Sequence, residues 1–256
     1  MRAKRQSRRS SDERFVFDEA AADAAVRFVE SLELREGGIP FVLLAWQRET
    51  VRQLFGWRER MTGRRKYRRL SAWLPRGNGK TPFAAALALC VLFLSGVEDA
   101  EIYSVAADTK QAEISFLDGA HMVRSSAFLS ALVKPYRRSL VYERNRSAWH
   151  VMSSESKTKH GYRPYCVIFD ELHTQTGRDL WSAMKTGLGK GRRDTLLLSI
   201  STAGVYDPES LAYCEYQYAK RVQDGVIDDP HFLPVIYEAD PSVAQDGRWA
   251  DPEVWA

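Results

Sequence analysis

Cysteine is scarce in this 256-residue sequence, which has only Cys90, Cys166 and Cys214. They are odd in number, far apart and never in a CxxC pair, which excludes a disulfide framework, a structural zinc site and a dithiol redox site. Cys90 and Cys166 sit inside apolar runs, and all three read as buried, reduced thiols. Long apolar stretches are also lacking. The longest uncharged run, Pro82 to Val97, is shorter than the roughly 20 residues that span a bilayer, so neither a transmembrane helix nor a membrane partner is expected. The basic N-terminus runs into Asp12 and Glu13 without the apolar core of a secretory signal, an expectation of cytoplasmic residence. No internal repeat or low-complexity segment is visible, and collagen-like and disordered classes are excluded by composition.

What is present is globular: 45% apolar and 11% aromatic residues, enough for one large α/β domain or two small ones. The net charge of +4 hides an asymmetry, because the chain from Asp207 onward carries eleven acidic and three basic residues. Positive charge concentrates in Arg2 to Arg14, Arg58 to Arg69, Lys134 to Arg146 and Lys185 to Arg193. Such clusters suit a polyphosphate backbone if they converge in space, and are otherwise solvated surface.

Helical and strand patterns alternate along the chain. Asp18 to Glu33 and Gln47 to Phe55 read as helices. Short β-rich runs follow at Tyr67 to Leu74, Glu101 to Ala107, Ala148 to Ser153, Cys166 to Asp170, Thr195 to Ser201 and Leu233 to Tyr237. Helical patterns lie between them at Pro82 to Leu94, Thr109 to Val123, Leu180 to Lys185 and Glu209 to Val222. This order predicts an α/β fold with a mostly parallel central sheet flanked by helices on both faces.

Three stretches carry chemistry. Leu74-Pro75-Arg76-Gly77-Asn78-Gly79-Lys80-Thr81 follows an apolar strand and precedes an apolar helix, as a phosphate-binding loop does. Its glycines let backbone N–H groups approach phosphate oxygens, Lys80 reaches the terminal phosphates and the Thr81 hydroxyl can ligate Mg²⁺. Pro82 suits a first helical turn, where its missing N–H has no partner to lose. The match to GxxxxGK(S/T) is incomplete, since Leu74 stands where the first glycine belongs.

The second stretch, Val167-Ile168-Phe169-Asp170-Glu171, is an apolar strand ending in two carboxylates. In a P-loop NTPase such an acid holds Mg²⁺, the role expected of Asp170, and Glu171 would polarise the water that attacks the γ-phosphate. The third, Leu196 to Ser201 followed by Thr202-Ala203-Gly204, is a strand ending in small hydroxyl residues. Ser201 and Thr202 either lie near the γ-phosphate, beyond the strand ends of a parallel sheet, or form a plain turn.

In this order and spacing, the loop, acidic strand and Ser-Thr-Ala-Gly segment resemble the ATPase domain of the large terminase subunit of tailed bacteriophages. Ala45-Trp46-Gln47-Arg48 with Leu54-Phe55-Gly56-Trp57 is similar to that family's adenine-recognising segment, and Lys157-Thr158-Lys159-His160-Gly161 is similar too. The resemblance implies a P-loop NTPase of the ASCE type that binds ATP and Mg²⁺ and drives double-stranded DNA into a procapsid. Gln47 would contact adenine, Arg76, Gly77, Asn78, Gly79, Lys80 and Thr81 the phosphates, and Ser201, Thr202 and Ala203 would couple hydrolysis to DNA movement. The implied partners are a portal, on which subunits form a homo-oligomeric ring, and the small terminase subunit, in the cytoplasm of an infected bacterial host.

Domains are expected at residues 1–40 (basic segment and helix), 41–232 (ATPase) and 233–256 (a final strand and the start of a passage towards a nuclease domain). Nuclease activity is not expected of this chain. Transfer of the γ-phosphate also calls for a positive charge. Arg76 could supply it within the subunit, and Arg137, Arg138, Arg144 or Arg146 from a neighbour. Two other readings stay open. One is a DExH-type helicase, since Asp170-Glu171-Leu172-His173 fits that box, and the other is a nucleotide-binding regulator or scaffold that hydrolyses nothing.

Overall fold

A computed structural model describes residues 12–107, 109–153, 162–175, 177–189, 194–204, 206–238 and 243. The chain begins with strand β1 (Phe15–Phe17), helix α1 (Glu19–Glu30), the short ribbon of β2 (Glu33–Leu34) and β3 (Ile39–Pro40), helix α2 (Ala45–Gly56) and strand β4 (Trp57–Glu59). The central layer follows, with β5 (Arg69–Trp73), α3 (Lys80–Leu94), β6 (Glu101–Ala106), α4 (Thr109–Ser125) and α5 (Ala127–Leu132). After the hairpin of β7 (Val133–Pro135) and β8 (Ser139–Tyr142) come β9 (Ser147–Ser153), β10 (Cys166–Asp170), α6 (Asp179–Leu188), β11 (Leu196–Ser201), α7 (Leu211–Gln223) and β12 (Phe232–Ile236).

Every residue of β10 and β11 is buried, which explains why these strands read as unbroken apolar runs: a parallel strand covered on both faces has no polar side. They lie at the centre of an eight-stranded sheet of order β12-β5-β11-β10-β6-β9-β8-β7. Pairing is parallel from β12 through β9 and antiparallel for β8 and β7. The predicted α/β class and mostly parallel sheet are therefore the observed architecture, with β11 inserted between the loop strand β5 and the acidic strand β10.

The period-two alternation of a strand sorts its side chains between two cores. Cys166 and Ile168 point into the larger core, with Leu70, Ala72, Ile102, Trp149 and Leu198, while Val167 and Phe169 point into the smaller one. Helix α3 fills the larger side; its residues Phe83 to Leu92 are all buried, as an all-round apolar helix requires. Helices α1 and α2 pack on each other, and α1 and α4 both contact α3. Helices α6 and α7 cover the smaller side through Trp181, Met184, Leu211 and Ala219. By the same alternation Asp170 leaves β10 on the α3 side, and that places its carboxylate beneath the phosphate-binding loop.

Two readings need adjustment. Cys90 and Cys166 are buried, but Cys214 is exposed: it lies on α7, where Arg178 Nη2 donates to its Sγ at 3.2 Å. A lone cysteine in a polar helix segment has no apolar run to bury it. The basic stretches are also largely consumed locally. Arg65 is buried beside Asp194 and over the Phe55 ring, Arg68 pairs with Glu59, and Arg69 pairs with Glu215 at 2.8 Å. Lys134 pairs with Glu143, Arg138 with Glu113, and Arg146 with Glu98 and Asp99. Residues 1–11 and 190–193, which hold part of the remaining basic charge, lie outside the described residues, as does the segment 157–161.

Candidate functional site

The loop between β5 and α3 turns on two left-handed glycines, Gly77 at φ 81° and Gly79 at φ 64°, a conformation open to glycine at little cost. Gly79 is the N-cap of α3 and offers no side-chain cap, so the first N–H groups of a 15-residue helix face outward. That end of a helix attracts anions. The Asn78 side-chain amide staples the turn from inside, donating to the Pro75 carbonyl at 3.2 Å and the Arg76 carbonyl at 3.3 Å. Lys80, buried except for its tip, donates from Nζ to the Pro75 carbonyl at 3.0 Å. Burial lowers its pKa, while Glu171 and Asp170 pull it back up.

Opposite the loop, β10 delivers the acid pair. Asp170 is 2% exposed, and neither of its oxygens has a hydrogen-bond partner of ordinary geometry. Burial first, and then the neighbouring Glu171 charge, push its carboxyl up to about 6, against the moderating approach of the Thr81 hydroxyl and the Glu171 N–H. A buried carboxylate whose donors approach without forming a well-made hydrogen bond, beside a threonine hydroxyl, fits a hard cation that takes oxygen ligands. Among the described residues no group of three or more His, Cys, Asp or Glu could cage a metal. A cation here would therefore complete its shell with phosphate oxygens and water, as Mg²⁺ commonly does.

Glu171 sits in the left-handed region at φ 53° and ψ 54°, a conformation costing a non-glycine residue about 1–2 kcal/mol. This turn breaks the strand alternation, swings the Glu171 carboxylate over the loop and starts the single-turn helix Leu172–Thr174. Loop and acids meet in one cleft of about 460 Å³, lined by Arg76, Lys80, Thr81, Glu171, His173 and Thr202 among others. A volume of this order suits a nucleotide-sized ligand.

The sequence-predicted residues fall into three groups. Arg76, Gly77, Gly79, Lys80, Thr81, Glu171 and Thr202 line the cleft; Asn78 and Asp170 support it from beneath. Ser201 is buried next to the cleft, where its Oγ lies 3.0 Å from His173 Nδ1, whereas Ala203 is exposed and does not line it. Gln47 is buried at the start of α2, its Oε1 accepting from the Leu44 N–H at 2.9 Å. A Cβ on Gly79 would lie 3.4 Å from Gln47 Nε2, so this amide is in position against the loop. Trp46 beside it packs edge-on to Phe83 of α3 at 5.0 Å.

The four candidate arginines divide by topology. Antiparallel pairing sets Ser139 of β8 opposite His150, and the Arg138 carbonyl accepts from the Val151 N–H. Arg137 and Arg138 thus lie towards the C-terminal end of β9, the end of the sheet that also carries Asp170. Arg144 and Arg146 lie past Tyr142↔Ser147, at the opposite end. From β5 to β8 is five strand spacings, roughly 24 Å, beyond the reach of an arginine side chain.

His173 was legible only as the last letter of a DExH box, yet its ring nitrogen lies within 3.4 Å of Glu171, Ser201 and Thr202. Its position two residues after the catalytic-type carboxylate was the available signal. The burial of Ser201 against it depends on chain folding that no local pattern shows.

The sequence profile described as "Terminase large subunit, ATPase domain" matches residues 45–221. Among solved structures, the HK97 bacteriophage large terminase is similar at 24% identity and a TM-score of 0.72, over 86% of this chain and 44% of that one. This chain therefore spans less than half the length of that protein. A variant of the Thermus phage P74-26 large terminase ATPase domain is similar at 20% identity and a TM-score of 0.56, over 81% of this chain and 86% of its own. The UvsW helicase of bacteriophage T4 shares 16% identity at a TM-score of 0.50, covering 78% and 66% of the two chains. At these identities the likenesses concern the fold. No curated protein is significantly similar to the chain.

Proposed function

The chain belongs to the family of terminase large subunit ATPase domains, and from that premise we propose that it hydrolyses ATP to drive double-stranded viral DNA into a procapsid. The observation that carries this reading is the convergence of Lys80, Thr81 and Glu171 on one cleft above the unpartnered Asp170 carboxylate. In this reading the outward N–H groups at the start of α3, with Lys80 and Arg76, hold the phosphates. Thr81 and Asp170 hold Mg²⁺, which would neutralise charge developing on the phosphate oxygens. Glu171 accepts a proton from the attacking water, and Gln47 meets the adenine end.

The domain organisation proposed is that of a motor unit over residues 41–232, preceded by a basic segment and followed by the passage towards a nuclease domain. Subunits assemble as a ring on a portal and work with a small terminase subunit in the host cytoplasm. Arg137, exposed at the Asp170 end of the sheet but too far from its own cleft, is the residue offered to a neighbour's γ-phosphate. DNA is held through its backbone without regard to sequence, because phosphate contacts carry no base information. Its affinity then falls steeply as salt rises.

Glu171→Gln tests the reading. It is expected to bind ATP as the parent does while turnover falls by about 100- to 10,000-fold, the contribution of a general base. Unchanged turnover would remove Glu171 from the role of base, and a parent chain that binds ATP without turning it over would belong to the class of non-hydrolysing regulators.

A further inference from the structure

The His173 ring stands between Glu171 and the end of β11, and a count of hydrogens around it assigns its tautomer. Ser201 Oγ donates its own hydrogen to the Thr202 carbonyl at 2.9 Å and accepts from the His173 backbone N–H at 3.2 Å. Towards Nδ1 of His173, 3.0 Å away, it can therefore only accept. Glu171 Oε2, 3.2 Å from the same nitrogen, is a carboxylate oxygen and also only accepts. Thr202 Oγ1 lies 3.4 Å away, a hydroxyl that can take either role. The two nearest groups, Ser201 Oγ and Glu171 Oε2, can only accept, which assigns a hydrogen to Nδ1, and that one hydrogen faces both of them. It is aligned with Ser201, for Glu171 Oε2 is buried and lacks a hydrogen-bond partner of ordinary geometry.

We propose that His173 is a positioning residue whose single Nδ1–H is shared between Glu171 and Ser201, tying the state of the water-activating carboxylate to the Ser201-Thr202 segment. With the hydrogen on Ser201, as here, Glu171 Oε2 is left to accept from water and the end of β11 is pinned to Leu172–Thr174. A small rotation of the ring hands the hydrogen to Glu171 and leaves Ser201 held only by the His173 backbone N–H, which loosens it. Thr202 lines the same cleft as Lys80, so that loosening reaches the phosphate end of the site. Gly204 lets the two segments approach this closely, since a Cβ there would come within 2.9 Å of the His173 Cβ. The inference rests on the reading of Glu171 as the base, which Glu171→Gln tests separately.

The experiment uses the full chain with ATP and Mg²⁺, with and without double-stranded DNA, and compares His173→Ala, His173→Asn, Ser201→Ala and the double variant His173→Ala/Ser201→Ala. His173→Ala is expected to lower kcat by about 10- to 100-fold, as loss of an orienting contact does, with KM for ATP within about twofold of the parent. His173→Asn, which restores an N–H near the Nδ1 position, recovers most of the rate. The double variant is no slower than the slower single one, because both changes remove the same link. If His173→Ala does not fold, His173→Phe keeps a ring against Gly204 without the donor and takes its place. A loss expressed mainly in KM, no recovery with Asn, or losses that multiply in the double variant would overturn the proposal.

Discussion

Gly204 approaches His173 so closely that a methyl group on its Cα would stand 2.9 Å from the His173 Cβ, a separation that carbon atoms do not tolerate. The absence of a side chain is what lets the segment after Ser201 approach the turn carrying Glu171 so closely.

Gly204→Ala is expected to cost about 1–3 kcal/mol of stability, the usual range for overpacking, and to slow ATP turnover by displacing the turn Leu172–Thr174. Gly177→Ala, whose added carbon meets nothing within 4 Å, should leave both unchanged. Denaturant titration and steady-state ATPase rates of the two variants check this pair.

Asp170 predicts a trade of stability against activity. Its carboxyl, raised to about 6 by burial and the Glu171 charge, binds a proton more tightly folded than unfolded. Its contribution to the stability of the metal-free protein is thus greatest below about pH 4 and declines as pH rises to about 6, by up to about 3 kcal/mol. Asp170→Asn removes that cost, so at pH 8 the variant should unfold at higher denaturant than the parent. Turnover should fall by about 100-fold or more. Measuring unfolding at pH 4, 6 and 8 with and without Mg·ATP separates the two effects, since the ligand should stabilise only the parent strongly.

Gln47→Ala should act twice. Loss of the bond to the Leu44 N–H costs about 1 kcal/mol at the start of α2. Removal of the amide next to Gly79 should weaken ATP binding by about tenfold and narrow any preference for ATP over GTP. Competition binding with the two nucleotides reads the second effect, and a thermal melt the first.

Arg137→Ala and Arg144→Ala should part company. They are exposed and close in sequence, but the β7–β8 hairpin carries Arg137 to the Asp170 end of the sheet while Arg144 lies at the other. Arg137→Ala is expected to lower turnover of the assembled protein by about 1000-fold or more with ATP affinity of the isolated chain unchanged. Arg144→Ala should behave as the parent in both. Equal losses in the two variants would remove Arg137 from the role proposed here.

Much of this molecule is readable along the chain because β10, β11 and α3 are buried on every side, so that their apolar runs stop only where a polar group is needed. Cys166–Asp170 is the strand in both sequence and structure. Other elements resisted. The β1–β4 ribbon and the β7–β8 hairpin are edge pieces of three or four residues, too short for a period to show. In the site, Lys80 and Asp170 announce themselves by motif, whereas His173 acquires its contacts from β11, 28 residues away along the chain. Long-range neighbours of this kind leave no local trace. The basic clusters stayed ambiguous for the converse reason, since charge density along the chain says nothing of the acids that fold back to meet it, such as Glu215 on Arg69.

Two of the three thiols, Cys90 and Cys166, are sealed in the core, and burial holds both in the unreactive protonated form. Cys214 alone faces solvent, on a helix that touches the turn carrying His173. A maleimide dye added to the native protein would therefore attach at one place, within sight of the cleft, and give a fluorescent reporter of nucleotide turnover with no change to the gene.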